Sequence, residues 1–458
     1  MTELHEHTLV PTRMLRQNGH GNGHASAAAQ PAVAVAPWKR LAIRPLGLSL
    51  DQVLMLIALA LLGFGFVMVH SAQARVGPVN VRAELSRLIF SAVTIHVLLA
   101  VAALWVLSRL NYRKFIGRHL ATSPATILMI VSICLLVLVL THFGARINGA
   151  KRWLVIPLGG HRISFEPSEL AKWSMVLFIA AFAIHQGDQI RSFWKGFIPL
   201  VLATGLICLP ILVEDFGTAV LIGTVAVILM LLAGCRWWHI ALLLPVAAVL
   251  AYFAVWHSAY RRERLLIFLH PHLDPKGAGY NPIQSLLSFH SGGFWGRGLG
   301  NGIQKMGFLP EDSTDFIFSL IAEELGFFGC MLVISLFMGL TICGWLVTHR
   351  AKDLFGKLLA FRATATIAFQ AMMNVAVVTV TVPTKGIALP LISAGGTGWV
   401  LTAAAIGLMM SVERVNRLEP VDAPDATVKA PERLGLHVVS ARESPGLPVR
   451  SIPTSEQL

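Results

Sequence analysis

Long apolar stretches separated by short polar ones dominate this sequence. Apolar runs recur near residues 51–71, 88–108, 124–142, 169–185, 195–213, 216–234, 238–257, 316–346, 359–381 and 388–411. A run of about twenty apolar residues lets an α-helix cross the hydrocarbon core of a bilayer. The pattern therefore predicts an all-α polytopic membrane protein with about ten transmembrane helices.

The two ends of the chain differ from this pattern. Residues 1–36 are polar and rich in Gly, Ala and His, and residues 416–458 are Pro-rich and charged. Such segments bury too little apolar surface to fold, so we predict disordered tails on either side of a transmembrane domain at 37–415. An even number of spans places both tails on one side. The short basic loops near Arg109–Arg118 and His349–Arg362 favour the cytoplasm for that side.

Composition excludes a soluble nucleic-acid binder. The chain is 55% hydrophobic and 13% charged, with a formal net charge of +13. Its basic residues are scattered over short loops, and no soluble basic domain holds them. We therefore expect no nucleic acid, and attribute the cations to membrane lipids or to an anionic substrate.

A long polar loop at 258–315, between predicted helices 7 and 8, holds the first group of candidate site residues. A loop of this length in a membrane protein is usually functional. Asp274 precedes a proline and a Gly-x-Gly turn, where its carboxylate could deprotonate a sugar hydroxyl while cations hold a phosphate. The alternative is that Asp274 only caps a turn. The other candidates in this loop are Arg261, Arg264, Lys276, Gln284, Lys305, Glu311 and Asp315.

Two further constellations are predicted on the same side as that loop. The first runs from Asn148 to Trp153, includes Arg152, and continues into a helix start at Pro167. Glu169 and Lys172 share one face of that helix, as candidate ligands or as a plain ion pair at a helix start.

The second constellation, 382–397, contains Lys385 and Ser393 among prolines and glycines. This composition is typical of a re-entrant or broken helix lining a cavity, or of an ordinary tight turn. Asp215, in Glu214–Thr218, could cap a helix and do no more.

Taken together, these motifs resemble the SEDS family (shape, elongation, division and sporulation) of peptidoglycan glycosyltransferases. The resemblance spans roughly residues 50–415, and its motifs occur in the family's order along this chain: Met68–Ala72, Asp274–Tyr280, Leu309–Glu311, Thr314–Phe316 and Pro383–Gly386. Gln304-Lys305 and Thr384-Lys385 make the chain more similar to the division branch of the family than to the elongation branch.

The resemblance implies an enzyme of the bacterial inner membrane whose active face is extracytoplasmic. Such an enzyme polymerises lipid II into glycan strands during cell division, with inversion at the anomeric carbon and release of undecaprenyl diphosphate. It implies that Asp274 is the general base, and that other matched charged residues contact the diphosphate or the sugars: Arg152, Glu169, Lys172, Arg261, Arg264 and Lys305.

The resemblance also implies a metal cofactor and protein partners. The family works with a divalent cation, Mg²⁺ or Mn²⁺, whose ligands in this sequence are unknown. It also works with a class B penicillin-binding transpeptidase and with other division proteins.

Some positions depart from the family's pattern. Val213-Glu214-Asp215 stands in place of Gln-Pro-Asp, Glu166 in place of Gln, and Ala394 in place of Tyr in the Ser-Tyr-Gly-Gly-Ser motif. The Asp274 motif is intact. We therefore expect the family's chemistry with altered local contacts.

Two other functions fit the same chain. A lipid II flippase would need polar groups through the middle of the membrane, whereas the spans between the motifs are nearly free of acidic and basic residues and charge collects on one face. A non-catalytic division scaffold would not need the Asp274 motif. The sequence therefore favours the enzyme.

Overall fold

The structure, a computed structural model, describes residues 47–73, 91–147, 150–158 and 161–418. The predicted tail at 1–36 lies outside the described residues, as does 419–458 of the second tail. Asn148 and Gly149 of the first constellation also lie outside them.

Helices make up most of the described chain. They are α1 (Leu50–Gln73), α2 (Ala92–Arg109), α3 (Pro124–Leu140), α4 (Pro167–Gln186), α5 (Ile198–Glu214), α6 (Phe216–Ala233), α7 (Trp237–Ala241), α8 (Leu243–Trp256), α9 (Ala259–Leu269), α10 (Tyr280–Gly292), α11 (Ile317–Arg350), α12 (Leu354–Val378) and α13 (Thr397–Leu418). Within the described ranges, nine helical segments are long and apolar enough to cross a membrane, and α3 is a shorter apolar helix. The predicted all-α polytopic fold is confirmed.

Helix ends follow from local sequence. Ser91 and Ser123 accept hydrogen bonds from the backbone N–H groups of Thr94 and Thr126, which caps the starts of α2 and α3. Gly234 ends α6 with a left-handed φ of 108°, a conformation that side chains other than glycine's rarely allow.

Helix α4 lies at the centre of the packing. It is the most buried of the membrane-spanning segments and contacts α3, α6, α12 and α13. Helix α12 contacts α11, α4, α6 and α13, while α13 packs mainly against α2 and α1. The functional side chains described below are carried by the ends of these inner helices.

A small antiparallel sheet stands where the sequence predicted only a loop. Its strands are β1 (Ala145–Ile147), β2 (Ala150–Leu158) and β3 (His161–Phe165), in the order β1-β2-β3. Leu154 pairs with Phe165, and Arg146 with Lys151. The sheet leads directly into α4, so it fixes the position of Arg152 relative to the start of that helix.

The long polar loop is partly helical. It contains α9 and α10, and α10 packs against α11. Gly326 interrupts α11 with φ 66°, and the next residue, Phe327, donates its N–H to the carbonyl of Gly293 at 2.9 Å. The first part of α11 is thereby bent onto the glycine-rich segment 293–307.

The last predicted span is displaced along the sequence. The apolar run at 388–411 predicted a helix from residue 388, but α13 begins at Thr397. Residues 388–396 instead form an irregular segment. Hydropathy alone cannot separate these alternatives, because a buried irregular segment is as apolar as a helix.

Contacts between distant residues give the direction of the first and last helices. Asp51, at the start of α1, pairs with Arg417, near the end of α13, at 3.0 Å. Ser71, near the other end of α1, donates to the Glu324 carboxylate at 2.6 Å. The start of the first span and the end of the last therefore lie at one end of the bundle, and Glu324 lies at the opposite end.

Candidate functional site

A group of charged side chains meets where β2, α4, α6, α9 and the segments before α11 and α13 converge. We call it the polar cluster: Arg152, Glu166, Glu169, Lys172, Asp215, Arg264, Asp315 and Lys385. Residues from positions 152 to 385 contribute to it, so the fold assembles it from parts that are remote in the sequence.

Arg152 and Asp215 form its best-defined ion pair. The Arg152 guanidinium lies 2.9 Å from the Asp215 carboxylate, and both side chains keep some exposure. Asp215 also caps α6, because it accepts from the N–H and the hydroxyl of Thr218 at 3.0 and 2.9 Å. The predicted capping role is thus present, and Asp215 does more than cap.

Glu169 and Lys172 form an ion pair in which the lysine is buried and the glutamate partly exposed. Lys172 is 1% exposed, and its ammonium donates to Glu169 and to Gln370 of α12, both at 2.8 Å. Gln370 in turn donates to the carbonyl of Ala388 at 2.9 Å. The pair is therefore more than a solvated pair at a helix start, since it joins α4 to α12 and to the irregular segment.

The Asp315 carboxylate lies against the backbone of Gly386. A Cβ atom on residue 386 would lie 2.6 Å from that carboxylate. Burial raises the pKa of the Asp315 carboxyl to about 7, with Glu311 adding to the shift and Arg152 and Arg264 opposing it. Near neutral pH, this carboxyl can therefore both accept and release a proton.

Glu166 is a second acid of the same kind. Burial raises its pKa to about 7, and the neighbouring Glu169 carboxylate adds to the shift. Ser168 donates to Glu166 at 2.7 Å, and the Glu166 N–H donates to Thr397 at 3.3 Å. This departure from the family's Gln adds an acid beside Arg152.

The segment 379–396 carries Lys385 and is fixed by side chains of α12. Asn374 donates to the carbonyls of Ile387 and Asp315 at 2.7 and 2.8 Å. The Lys385 ammonium lies 4.6 Å from the ring centre of Phe216, and burial lowers the pKa of Lys385. The segment is irregular backbone buried in protein, which fits the predicted broken helix better than an ordinary tight turn.

Ser393 has a structural position. Its hydroxyl donates to the carbonyl of Thr314 and accepts from the N–H of Leu389, both at 2.6 Å, and the residue is fully buried. The geometry favours a role in joining segment 379–396 to the loop before α11 over the predicted contact with substrate.

The two arginines of α9 differ. Arg261 donates to the carbonyls of Ala254 and Leu212 at 3.0 and 3.1 Å, so it satisfies carbonyl groups near the ends of α8 and α5. Arg264 donates to the carbonyl of Thr384 at 3.0 Å, and its charge opposes the rise in the pKa of Asp315. Of the two, Arg264 is better placed to meet an anionic substrate.

Asp274 caps a tight turn. Its two carboxylate oxygens accept from the N–H groups of Gly277 and Ala278, each at 3.0 Å. Among the described residues, no cation lies within 4.0 Å of this carboxylate. The turn-capping alternative is therefore realised. An ionised carboxylate has about four acceptor positions, so two remain for a hydroxyl proton.

Three other predicted residues lie around this loop. Lys276 is exposed and Gln284 is half-buried on α10. Glu311 is exposed, with φ 59°, and accepts from the Thr314 hydroxyl at 2.7 Å. Glu311 is close enough to Asp315 to influence it.

Lys305 lies in a buried structural ion pair. Its ammonium is 2.9 Å from Glu324, with side chains 3% and 0% exposed. Glu324 also accepts from Ser71 and from the N–H of Gly300. This geometry favours docking of segment 293–307 onto α11 over the predicted contact with a substrate.

Sequence reasoning missed the contributions of Gln370 and Asn374. They are four residues apart on α12 and buried. Two polar side chains at helical spacing inside a predicted span were an available signal, because such groups are costly in a membrane unless they have partners.

The part of the chain that the structure describes contains no preformed metal site. Among the described residues, no three His, Cys, Asp or Glu side chains are grouped so that they could hold a metal ion. A hard divalent cation prefers six or more oxygen ligands, so most of them would have to come from elsewhere.

Comparison with known proteins agrees with this fold. The structure resembles a chain of a peptidoglycan synthase complex that coordinates polymerization and crosslinking. The TM-score is 0.63 and the sequence identity 26%, and the alignment covers 80% of this chain and 98% of that one. It also resembles the rod shape determining protein RodA of Thermus thermophilus, with a TM-score of 0.55, 24% identity, and coverage of 80% and 97%. The fold is that of a polytopic SEDS membrane protein.

Sequence comparison gives the family. The FtsW/RodA/SpoVE profile, described as cell cycle protein, matches residues 52–418. The chain is 36% identical over 363 residues to a protein of Geobacter metallireducens, an alignment that covers 79% of this chain and 94% of the relative. It is 37% identical over 383 residues to a protein of Trichlorobacter lovleyi, with coverage of 82% and 96%. Both relatives are named probable peptidoglycan glycosyltransferase FtsW. The chain therefore belongs to the FtsW/RodA/SpoVE family, and the predicted recognition is confirmed.

Proposed function

We propose that this protein is a peptidoglycan glycosyltransferase that polymerises lipid II into glycan strands during cell division. The observation that carries the proposal is the polar cluster, in which Arg152 and Arg264 lie near Asp315 and Lys385 lies near Asp215, in a chain that matches FtsW relatives over nearly their whole length. Cations around a polar pocket suit a substrate that carries a diphosphate.

The proposed reaction is an inverting transfer. The 4-hydroxyl oxygen of the acceptor GlcNAc bonds to the anomeric carbon of the donor MurNAc, and the bond from that carbon to the diphosphate oxygen breaks. Asp274 takes the hydroxyl proton on a free acceptor position of its carboxylate. Undecaprenyl diphosphate leaves with the bonding electron pair.

The cations of the polar cluster would hold the leaving diphosphate. Among the described residues, no carboxylate lies within 4.0 Å of the Lys385 ammonium, so this amine is available to phosphate oxygens. Arg152 is paired with Asp215, and Arg264 is close enough to Asp315 to lower the pKa of that carboxyl. We assign Arg261 and Lys305 structural roles, because their donors already serve carbonyls and Glu324.

In this proposal a divalent cation binds only together with the substrate. The described carboxylates do not form a site for it by themselves. Titration of Mg²⁺ or Mn²⁺ into the purified protein, with and without an isoprenoid diphosphate, would show whether binding needs the diphosphate.

A class B penicillin-binding transpeptidase is the proposed partner, together with other division proteins. Likeness to a chain of a peptidoglycan synthase complex supports an assembly of this kind. Co-expression with the transpeptidase and purification in mild detergent should yield a stable pair, and repeated separation of the two would count against this partner.

The decisive experiment compares lipid II polymerisation by the wild type, Asp274→Asn and Asp274→Ala, with the exposed Glu263→Gln as a control. If Asp274 is the base, both Asp274 variants should lose about 10²-fold or more in rate while Glu263→Gln retains it. Equal rates in all four proteins would remove Asp274 from the chemistry but leave the transferase intact.

One observation favours the flippase alternative. Lys172 and Arg362 are buried within helices that are long and apolar enough to span a membrane, so these helices are not wholly free of charge. Arg362 lies inside α12 and not in a basic loop, because α12 already begins at Leu354. A liposome translocation assay with fluorescent lipid II separates the two functions. Translocation without polymerisation would support the flippase.

A further inference from the structure

Arg362 is a cation that the proposed reaction does not use. It lies on α12 eight residues after Leu354, which places it about 12 Å along the helix axis from the helix start. Its exposed fraction is 0%. A side chain at that depth cannot reach the aqueous interface as arginines near helix ends do.

The guanidinium has no counter-charge in the described chain. Its Nε, Nη1 and Nη2 atoms are buried, and none has a hydrogen-bond partner among the described residues. The buried cations Lys172 and Lys305, in contrast, each have a carboxylate at 2.8 or 2.9 Å. Arg362 is therefore exceptional among the buried basic side chains that the structure describes.

Neither deprotonation nor a neighbouring thiolate removes this charge. Arginine stays protonated in proteins. Cys208 on α5 is close enough to interact with Arg362, but its S–H group donates to the carbonyl of Ala219 at 3.7 Å, which is the behaviour of a neutral thiol. An unpaired cation in apolar surroundings is strongly unfavourable, so a counter-ion from solution is needed.

Thr366 supplies a second donor at the same place. It lies one turn after Arg362 on the same side of α12 and is 0% exposed, and its hydroxyl has no partner within the described chain. Thr364, Thr348 and Thr341 donate to the carbonyl four residues earlier at 2.8 Å. The Thr366 hydroxyl does not, so it is free to point at a ligand beside the guanidinium.

We propose that Arg362 and Thr366 form a binding site for a small inorganic anion of the chloride type, on the buried side of α12 and close to Cys208 of α5. The complete burial of both residues suits a monatomic ion and excludes a lipid head group. Guanidinium and hydroxyl are both hydrogen-bond donors, which suits an anion and not a cation.

The anion would also support the polar cluster. Gln370 lies one further turn along α12 and holds Lys172 at 2.8 Å. Neutralising Arg362 therefore stabilises the helix that positions the Glu169–Lys172 pair. This consequence is separate from glycosyl transfer, and binding can be measured whether or not the protein polymerises lipid II.

The test is thermal unfolding of the purified full-length chain in chloride and in gluconate at equal ionic strength. Three proteins are compared: the wild type, Arg362→Met, and Lys357→Met, which removes an exposed cation from the same helix. Chloride should raise the melting temperature of the wild type and of Lys357→Met by about 2 °C or more, and leave Arg362→Met unchanged. Methionine needs no counter-ion, so Arg362→Met should remain folded in gluconate.

Two results of the unfolding experiment would overturn the proposal. One is an absence of halide dependence in the wild type, and the other is an equal chloride effect in Arg362→Met. If Arg362→Met does not purify, Thr366→Val, which keeps the shape and removes the donor, should reduce the halide effect. Anomalous diffraction from bromide-grown crystals must place bromide beside Arg362, and a map without that peak would refute the site.

Discussion

At the scale of single residues, Asp274 and Asp315 show how differently two loop aspartates can be placed. Asp274 accepts two backbone N–H groups in an open turn, whereas Asp315 is enclosed by the polar cluster. Both residues lie in the polar loop, so the sequence indicates both as candidate site residues. The sequence does not distinguish them, because the burial of Asp315 and the charges near it depend on contacts with β2, α6 and α9.

The turn at Asp274 predicts unequal effects of its two diagnostic variants on stability. Asp274→Ala leaves two backbone N–H groups, one exposed and one part-buried, without their acceptors and should cost about 1 kcal/mol locally. Asp274→Asn retains one acceptor oxygen and suits this kind of turn, so it should cost less. Thermal unfolding and limited proteolysis of the loop would measure the difference. A less stable Asp274→Asn than Asp274→Ala would contradict this account.

The raised pKa of Asp315 predicts that stability falls as pH rises. The folded protein holds this proton more tightly than the unfolded chain, since the pKa rises from 3.8 to about 7. Its contribution is therefore complete below about pH 4 and is lost as pH increases through about 7. Glu166 acts in the same direction.

Melting temperatures of the wild type, Asp315→Asn and Glu263→Gln between pH 5 and 8 would test this pH dependence. Asp315→Asn should be the more stable protein at pH 8, by about 2 °C or more, with a smaller gain at pH 5. Glu263→Gln should follow the wild type. A parallel curve for Asp315→Asn would show that the Asp315 carboxyl does not titrate in this range.

Residue pairs mark the limit of what the sequence could predict. Arg152, Glu169 and Lys172 were visible as charges near predicted helix starts, and Lys172 proved to be bound to Gln370, 198 positions later. Arg362 was misplaced because its neighbours in sequence are basic and because helix starts are uncertain by several residues. A spacing pattern within one segment carries no information about partners on other segments.

At the scale of elements, the membrane spans were the best-predicted feature, because each needs only its own apolar run. The elements that were missed depend on other parts of the chain. The sheet at 145–165 is short and lies among apolar segments, while segment 379–396 is fixed by hydrogen bonds from Gln370 and Asn374. Local hydropathy therefore predicts neither the sheet nor the irregular conformation of segment 379–396.

Helix α1 offers a matched pair of glycines that tests the position of the irregular segment. A Cβ on Gly65 would lie 2.5 Å from the carbonyl oxygen of Leu391, whereas a Cβ on Gly63 would meet nothing within 4 Å. Gly65→Ala should therefore displace the segment that carries Lys385 and destabilise the protein by about 1–3 kcal/mol. Gly63→Ala should be neutral or slightly stabilising.

Thermal unfolding and lipid II polymerisation of the two variants would measure this difference. Loss of polymerisation in Gly65→Ala alone would link segment 379–396 to the site. Equal behaviour of both variants would show that α1 and the segment do not pack as described.

The buried Lys305–Glu324 pair predicts that segment 293–307 detaches when one partner is removed. Lys305→Met leaves the Glu324 carboxylate buried without its cation, which should cost about 3–5 kcal/mol. Lys276→Met, in the same loop but exposed, should have little effect on stability. Faster proteolytic cleavage within 293–307 in Lys305→Met would support the docking role. Unchanged protection would point back to a contact with substrate.

At the scale of the whole molecule, two contacts relate the ends of the described membrane domain to the polar loop. Asp51 and Arg417 join the start of α1 to the end of α13, and Ser71 joins the other end of α1 to Glu324 and segment 293–307. The ends of the described membrane domain and the polar loop therefore lie at opposite ends of the bundle. This separation agrees with a site that faces away from the cytoplasm if both tails are cytoplasmic.

That orientation can be tested by labelling single cysteines in intact cells. In a background with the five native cysteines replaced, Lys276→Cys should react with a membrane-impermeant maleimide, since Lys276 is exposed on the polar loop. Lys357→Cys, exposed near the start of α12, should react only after the cells are permeabilised. The reverse pattern would place the polar loop in the cytoplasm. A loop on that side could not meet an acceptor strand outside the membrane, and the proposed polymerase would then have to be abandoned.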